Sequence, residues 1–177
     1  MRSRYKFSIE KGLYFVTSTI VEFIPVFTSE KYFQIIINSF EYCRTNKGIK
    51  IFAYVIMDNH FHLLISGENL SDKIRSIKRH TAKEIIEQVK RDNKLWLLNQ
   101  FKFYKKKYKK ESNYQVWQEG AHPQIITTVD VAEQKMNYIH YNPVKRGLVK
   151  EPQDWKYSSA GNYYCGKGVI EIESLME

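Results

Sequence analysis

The sequence has little cysteine, little proline and no long apolar run. Of its 177 residues only two are cysteines, Cys43 and Cys165. They lie far apart and outside any CxxC pattern. That excludes a zinc knuckle or disulfide framework and makes a reducing, cytoplasmic home the default. No apolar run approaches the roughly 20 residues that span a bilayer, so no membrane partner is expected. The start, "MRSRYKFSIEKGLYF", has basic residues but no apolar h-region or small-residue cleavage site. It is read as a structural start and not as a signal peptide. Negative charge is also scarce: 28 Lys and Arg against 19 Asp and Glu give a net charge of +9. A basic balance favours polyanionic partners, nucleic acid first, and places the protein with the nucleoid. Hydrophobic content of 43% and charge of 27% are those of a globular chain. The length suits one domain over residues 1–177, with a core over about 10–150 and an aromatic tail over about 151–177.

What is present is an alternation of strand and helix signals. "GLYFVTSTI" is β-branched and aromatic, and predicts a strand over Leu13 to Ile20. Thr28 or Ser29 can cap a helix in which Phe33, Ile36, Ile37 and Phe40 recur at helical spacing, with a stop near Asn46 to Gly48. "IKIFAYVIM" and "HFHLLIS" flank the turn signal "DN" and predict a hairpin. A long helix follows, with Ser71 as its expected N-cap and Ile74, Ile77, Thr81, Ile85 and Val89 as its apolar stripe. "NYQVWQ" is the candidate fourth strand. "TVDVAEQKMNYIHYNPVKRGLV" predicts a last helix capped by Asp130, with Glu133 completing a capping box, and stopped by Pro143 near Tyr141 or Asn142. The order β-α-β-β-α-β is a split βαβ arrangement: an α+β, ferredoxin-like fold with an antiparallel sheet flanked by helices.

The third strand raises a chemical question, because "NHFHLLIS" places two imidazoles in an otherwise apolar run. Side chains alternate faces along a strand. His60 and His62 therefore point the same way and Phe61 into the opposite layer, so the two imidazoles can share a metal ion. Other users of His-x-His are barrel hydrolases, which need a much longer chain, and cupins, which need many short strands. The last helix offers further groups. Tyr138 and Asn142 are four residues apart and share a face. Asn142 can give an amide oxygen to a cation and Tyr138 a phenol. His140 faces roughly the other side and ranks below Asn142 as a ligand. Imidazole with amide oxygen and open positions suits Mg²⁺ or Mn²⁺ acting as a Lewis acid on a phosphate. Alone, Tyr138 reads as a core aromatic; beside such a metal it is a candidate nucleophile.

"VIMDNHFHLLIS" together with "YIHYNPVKRGLV" resembles the single-tyrosine HUH transposases, in particular the REP-associated tyrosine transposases. The likeness extends to "YFVTSTI", "WQEGAHPQII" and "DWKYSSAGNYY". It implies a divalent metal on His60 and His62, with Asn142 as a third, helix-borne ligand. It also implies Tyr138 as the nucleophile toward single-stranded DNA presented by a hairpin, and a 5′-phosphotyrosine intermediate. Two features depart from the pattern or compete with it. Asp58 stands where such proteins often carry proline, and Tyr141 is a rival nucleophile three residues from Tyr138. The resemblance leaves monomer and homodimer open.

Basic residues supply candidate backbone contacts: Lys78 and Arg79 on the long helix, and Lys102, Lys105, Lys106, Lys107, Lys109 and Lys110 in "KFYKKKYKK", where Phe103, Tyr104 and Tyr108 can stack on unpaired bases. Two other functions fit a basic ferredoxin-like domain. One is a non-catalytic binder of single-stranded nucleic acid. The other is a metal-independent RNA endonuclease using histidine acid–base chemistry.

Overall fold

The computed structural model describes residues 6–175; the first five residues of the basic start and the last two of the aromatic tail lie outside it. Four strands form one antiparallel sheet: β1 (Leu13–Thr19), β2 (Lys50–Ile56), β3 (His60–Ser66) and β4 (Gln124–Ile126), in the order β2-β3-β1-β4. Five helices accompany them: α1 (Glu30–Lys47), α2 (Leu70–Arg91), α3 (Leu95–Phe103), α4 (Val129–Lys145) and α5 (Ala160–Cys165). This is the ferredoxin-like plan, with α3 inserted between α2 and β4. Among the described residues no helix is long and apolar enough to cross a membrane.

Strand alternation sorts the core into two layers. Tyr14 and Val16 of β1, with Phe61, Leu63 and Ile65 of β3, face α1 and α2 in the larger apolar cluster. Phe15, Ala53, Val55 and Leu64 face the other way and meet Ala132 and Ile139 of α4. β1 and β3 run side by side with Thr17 opposite His62 and Thr19 opposite His60. The histidines therefore lie on the α4 side.

Several boundaries differ from the sequence expectations for local reasons. Asn69, and not Ser71, precedes α2; it adopts a left-handed φ of 50°, which asparagine tolerates, and its carbonyl accepts from Asp72 and Lys73. Thr128, and not Asp130, caps α4, its hydroxyl accepting from the Val131 amide at 3.3 Å. Asp130 then sits in the first turn, where its charge suits the helix dipole. Pro143 does not stop α4, which continues to Lys145. So close to the C-terminus, the missing N–H removes only one ladder bond. "NYQVWQ" is not the fourth strand. It crosses the end of β1 through one bridge, Ile20 to Trp117, and buries Val116 and Trp117. The ladder forms instead after Pro123, over Gln124–Ile126.

Candidate active site

The site lies between β3 and α4. His60 and His62 have ring centroids 4.8 Å apart. Each Nδ1 is engaged: His62 with the Thr17 hydroxyl at 2.8 Å, His60 with Asn59 Oδ1 at 2.6 Å. The Nε2 atoms are the ones left to face a ligand. Burial pushes His62 down to about 3, with the neighbouring His60 and Lys135 adding to the effect. Burial also lowers His60, with Asp58 pulling the other way. Both rings are neutral at neutral pH, which is the form that ligates a metal.

Tyr138 stands against the second of the two, His62. Its ring centroid is 5.2 Å from that of His62 and 5.9 Å from that of Phe15. It remains 41% exposed, so a substrate can reach it. Lys145 Nζ lies 5.6 Å from the Tyr138 ring and Lys135 Nζ 4.6 Å from the Phe15 ring. Tyr138, Lys135 and Lys145, with Gln134, Asn137 and Tyr141, line an open cavity of about 460 Å³ along α4. Tyr141 lines the same cavity one turn along α4 and lies beside Tyr164 of α5, whose pKa it helps burial to raise.

Asn142 follows from its neighbours on the same helical face. One turn before it, Tyr138 meets His62; one turn after it, Arg146 reaches the Asp58 carboxylate at 3.5 Å. Asn142 lies between these two contacts and is buried, 9% exposed. His140 is on the opposite side, where its Nε2 pairs with the Ser159 hydroxyl at 2.8 Å and ties α4 to the segment beside β2. Among the described residues no three His, Cys, Asp or Glu side chains cluster for a metal. A cation here would need a donor of another type, and the Asn142 amide is one. A second sign of fit is Asp58 Oδ1, buried with no hydrogen-bond partner near His60.

The basic residues separate. Lys78 is turned inward: its ammonium donates to the carbonyls of Gln118 and Gly120, and burial lowers its pKa to about 8. Arg79 lines a cavity of about 780 Å³ between α2 and the 112–123 segment, together with Lys109. Lys109 also pairs with Glu119 at 3.4 Å, and Lys105 donates to the Lys109 carbonyl. Lys102, Lys106, Lys107 and Lys110 are exposed. Sequence reasoning missed Lys135 and Lys145. Their spacing from Tyr138, three residues before and seven after, carried the signal.

Fold and sequence together place the chain among the transposases. The model of the family described as "Transposase IS200 like" matches residues 24–142, a stretch that holds both histidines, Tyr138 and Asn142. The chain belongs to that family and is an enzyme of DNA transposition. It is similar to a Haemophilus influenzae protein named as a REP-associated tyrosine transposase, 26% identical over 166 residues, 89% of this chain and 85% of that one. Its fold matches a solved REP-associated tyrosine transposase bound to a REP hairpin, with a TM-score of 0.70 and 17% identity, over 100% of this chain and 94% of the other.

Proposed function

We propose that the protein nicks and rejoins single-stranded DNA at hairpin-bearing sites through a covalent bond to Tyr138. The observation that supports this most directly is the accessible Tyr138 ring standing against His62, whose ring in turn meets that of His60. Tyr138 Oη attacks phosphorus; a P–Oη bond forms and the P–O3′ bond breaks. A free 3′-OH leaves and the 5′ phosphate stays on the tyrosine. The phenol proton passes to the solvent that reaches the cavity. A 3′-OH later attacks the phosphotyrosine and rejoins strands, so the bond energy is conserved without ATP. Lys145 beside the Tyr138 ring and Lys135 over Phe15 put positive charge on the cavity that Tyr138 lines, and hold the phosphate there. His60, His62 and Asn142 would hold a divalent cation, Mg²⁺ or Mn²⁺, which when bound withdraws charge from a non-bridging phosphate oxygen. The Thr17 and Asn59 contacts hold the rings while this happens. Arg79 and the exposed lysines of the 102–110 segment contact the DNA backbone. Such work belongs in the cytoplasm, at the nucleoid.

The test is covalent capture. Labelled hairpin oligonucleotides with Mn²⁺ are run on denaturing gels after incubation with wild type, Tyr138→Phe, Tyr141→Phe and His62→Ala. An adduct lost in Tyr138→Phe and His62→Ala but kept in Tyr141→Phe is expected. Tight, metal-independent binding that leaves no adduct in any protein would identify a binding module instead. Cleavage of RNA in the presence of chelator would identify the nuclease.

A further inference from the structure

Phe23 and Glu22, just after β1, adopt left-handed φ angles of 54° and 51°. Neither is glycine, and such residues persist only where their surroundings impose the conformation. The turn is held on several sides: Ile20 N–H donates to Asn59 O and Val21 N–H to Val116 O. Its outcome is that the Phe23 carbonyl accepts from the Asn59 side-chain amide at 2.9 Å. That bond fixes which way the Asn59 amide faces, nitrogen toward Phe23 and oxygen toward His60.

An amide oxygen only accepts. The 2.6 Å contact between Asn59 Oδ1 and His60 Nδ1 therefore requires a proton on Nδ1. A neutral ring with its proton there carries its free lone pair on Nε2. His62 has no such constraint, because its Nδ1 partner is the Thr17 hydroxyl, which donates or accepts equally well. From this asymmetry we infer that Asn59 is a positioning residue that locks His60 in the Nδ1–H tautomer, with Nε2 held ready for a divalent cation, and that the strained turn at Glu22–Phe23 exists to hold Asn59. The inference rests on the metal reading given above. It adds which histidine is set in advance and by what.

The experiment uses metal-free protein with ¹⁵N-labelled histidine, read by NMR at pH 8, followed by Mn²⁺ titration. In the wild type His60 is expected to show a protonated Nδ1 and a bare Nε2. Asn59→Ala removes the acceptor, and His60 is expected to move toward the Nε2–H tautomer that imidazole favours in water. Asn59→Asp keeps an acceptor for His60 but loses the donor to Phe23, and is expected to keep the tautomer. Mn²⁺ affinity should fall about 10–100-fold in Asn59→Ala and much less in Asn59→Asp. A wild-type His60 protonated on Nε2 overturns the inference, as does a tautomer unchanged in Asn59→Ala. So does equal loss in both variants, which would assign the effect to the turn alone. A wild type that binds no Mn²⁺ overturns the metal reading, and the metal-free spectrum tells that apart from a failure of Asn59.

Discussion

The two faces of the sheet are built from alternate residues of the same strands, yet they do different work. The face toward α1 and α2 carries Tyr14, Val16, Phe61, Leu63 and Ile65, all essentially without solvent contact. The face toward α4 has a smaller apolar cluster, and beside it lie Thr17, His60, His62 and a half-open cavity. Phe61 lies between the two histidines in sequence and is 0% exposed in the opposite layer. One face holds the chain together, and the other spends part of its area on polar groups that need the first to stay in place. Substitutions one residue apart should therefore separate chemistry from stability.

The largest expected effect is on the chemical face. Tyr138→Phe should abolish the covalent DNA adduct while changing unfolding free energy by only about 0.5 kcal/mol, as for an exposed site. The ring contacts with His62 and Phe15 survive, and only the nucleophile is lost. Denaturant melts beside adduct gels read both quantities. Phe61→Ala should do the converse. Its ring packs edge-on against Phe40 and Trp117, at centroid distances of 5.1 and 5.3 Å. Its loss should cost about 3–5 kcal/mol. If Tyr138→Phe destabilises as much as Phe61→Ala, the division between the faces fails.

A third expectation concerns how α4 is held. Burial pushes His140 down to about 4, against about 6.5 in an unfolded chain. Between those values the unfolded chain binds the extra proton and the folded one does not. Stability from this group is complete above about pH 6.5 and is lost as the pH falls toward 4, on the order of 3 kcal/mol. His140→Gln in chelator should flatten that part of the acid limb of a stability–pH profile. An unchanged profile would mean that burial does not hold the His140 imidazole neutral in the folded chain.

The layering was legible in the sequence because period-two alternation on "YFVTSTI" and "HFHLLIS" sorts side chains before any contact is known. The pair of histidines and the i,i+4 step from Tyr138 to Asn142 were legible for the same geometric reason. Three kinds of feature were not. The caps of α2 and α4 shifted by two residues because an αL asparagine and a threonine competed successfully with equally plausible neighbours. "LWLLNQFKF" formed the helix α3, although its apolar run lacks the clean amphipathic spacing that marks α2. Lys78 read as a phosphate contact, but two carbonyls of a distant loop turn it inward, and a loop's path is not written in local periodicity.

The smallest expected effect lies outside both faces. Lys106 and Lys107 are exposed beyond α3, like Lys110, while Lys105 pairs with the Lys109 carbonyl and Lys109 with Glu119. If an exposed lysine neutralises one phosphate, its loss should lower the slope of log affinity against log salt by about 1, uniformly across DNA sequences. Lys106→Ala and Lys107→Ala are each expected to do so, measured by fluorescence anisotropy on a hairpin oligonucleotide. Adduct formation at saturating DNA should not change, since neither residue touches the phenol or the imidazoles. Lys78→Met is the contrast. It removes the ammonium that ties Gln118 and Gly120 to α2, so it should cost stability and leave the salt slope where it was. A slope that changes with Lys78 but not with Lys106 or Lys107 would move the DNA track off the basic segment and into the groove beside α2.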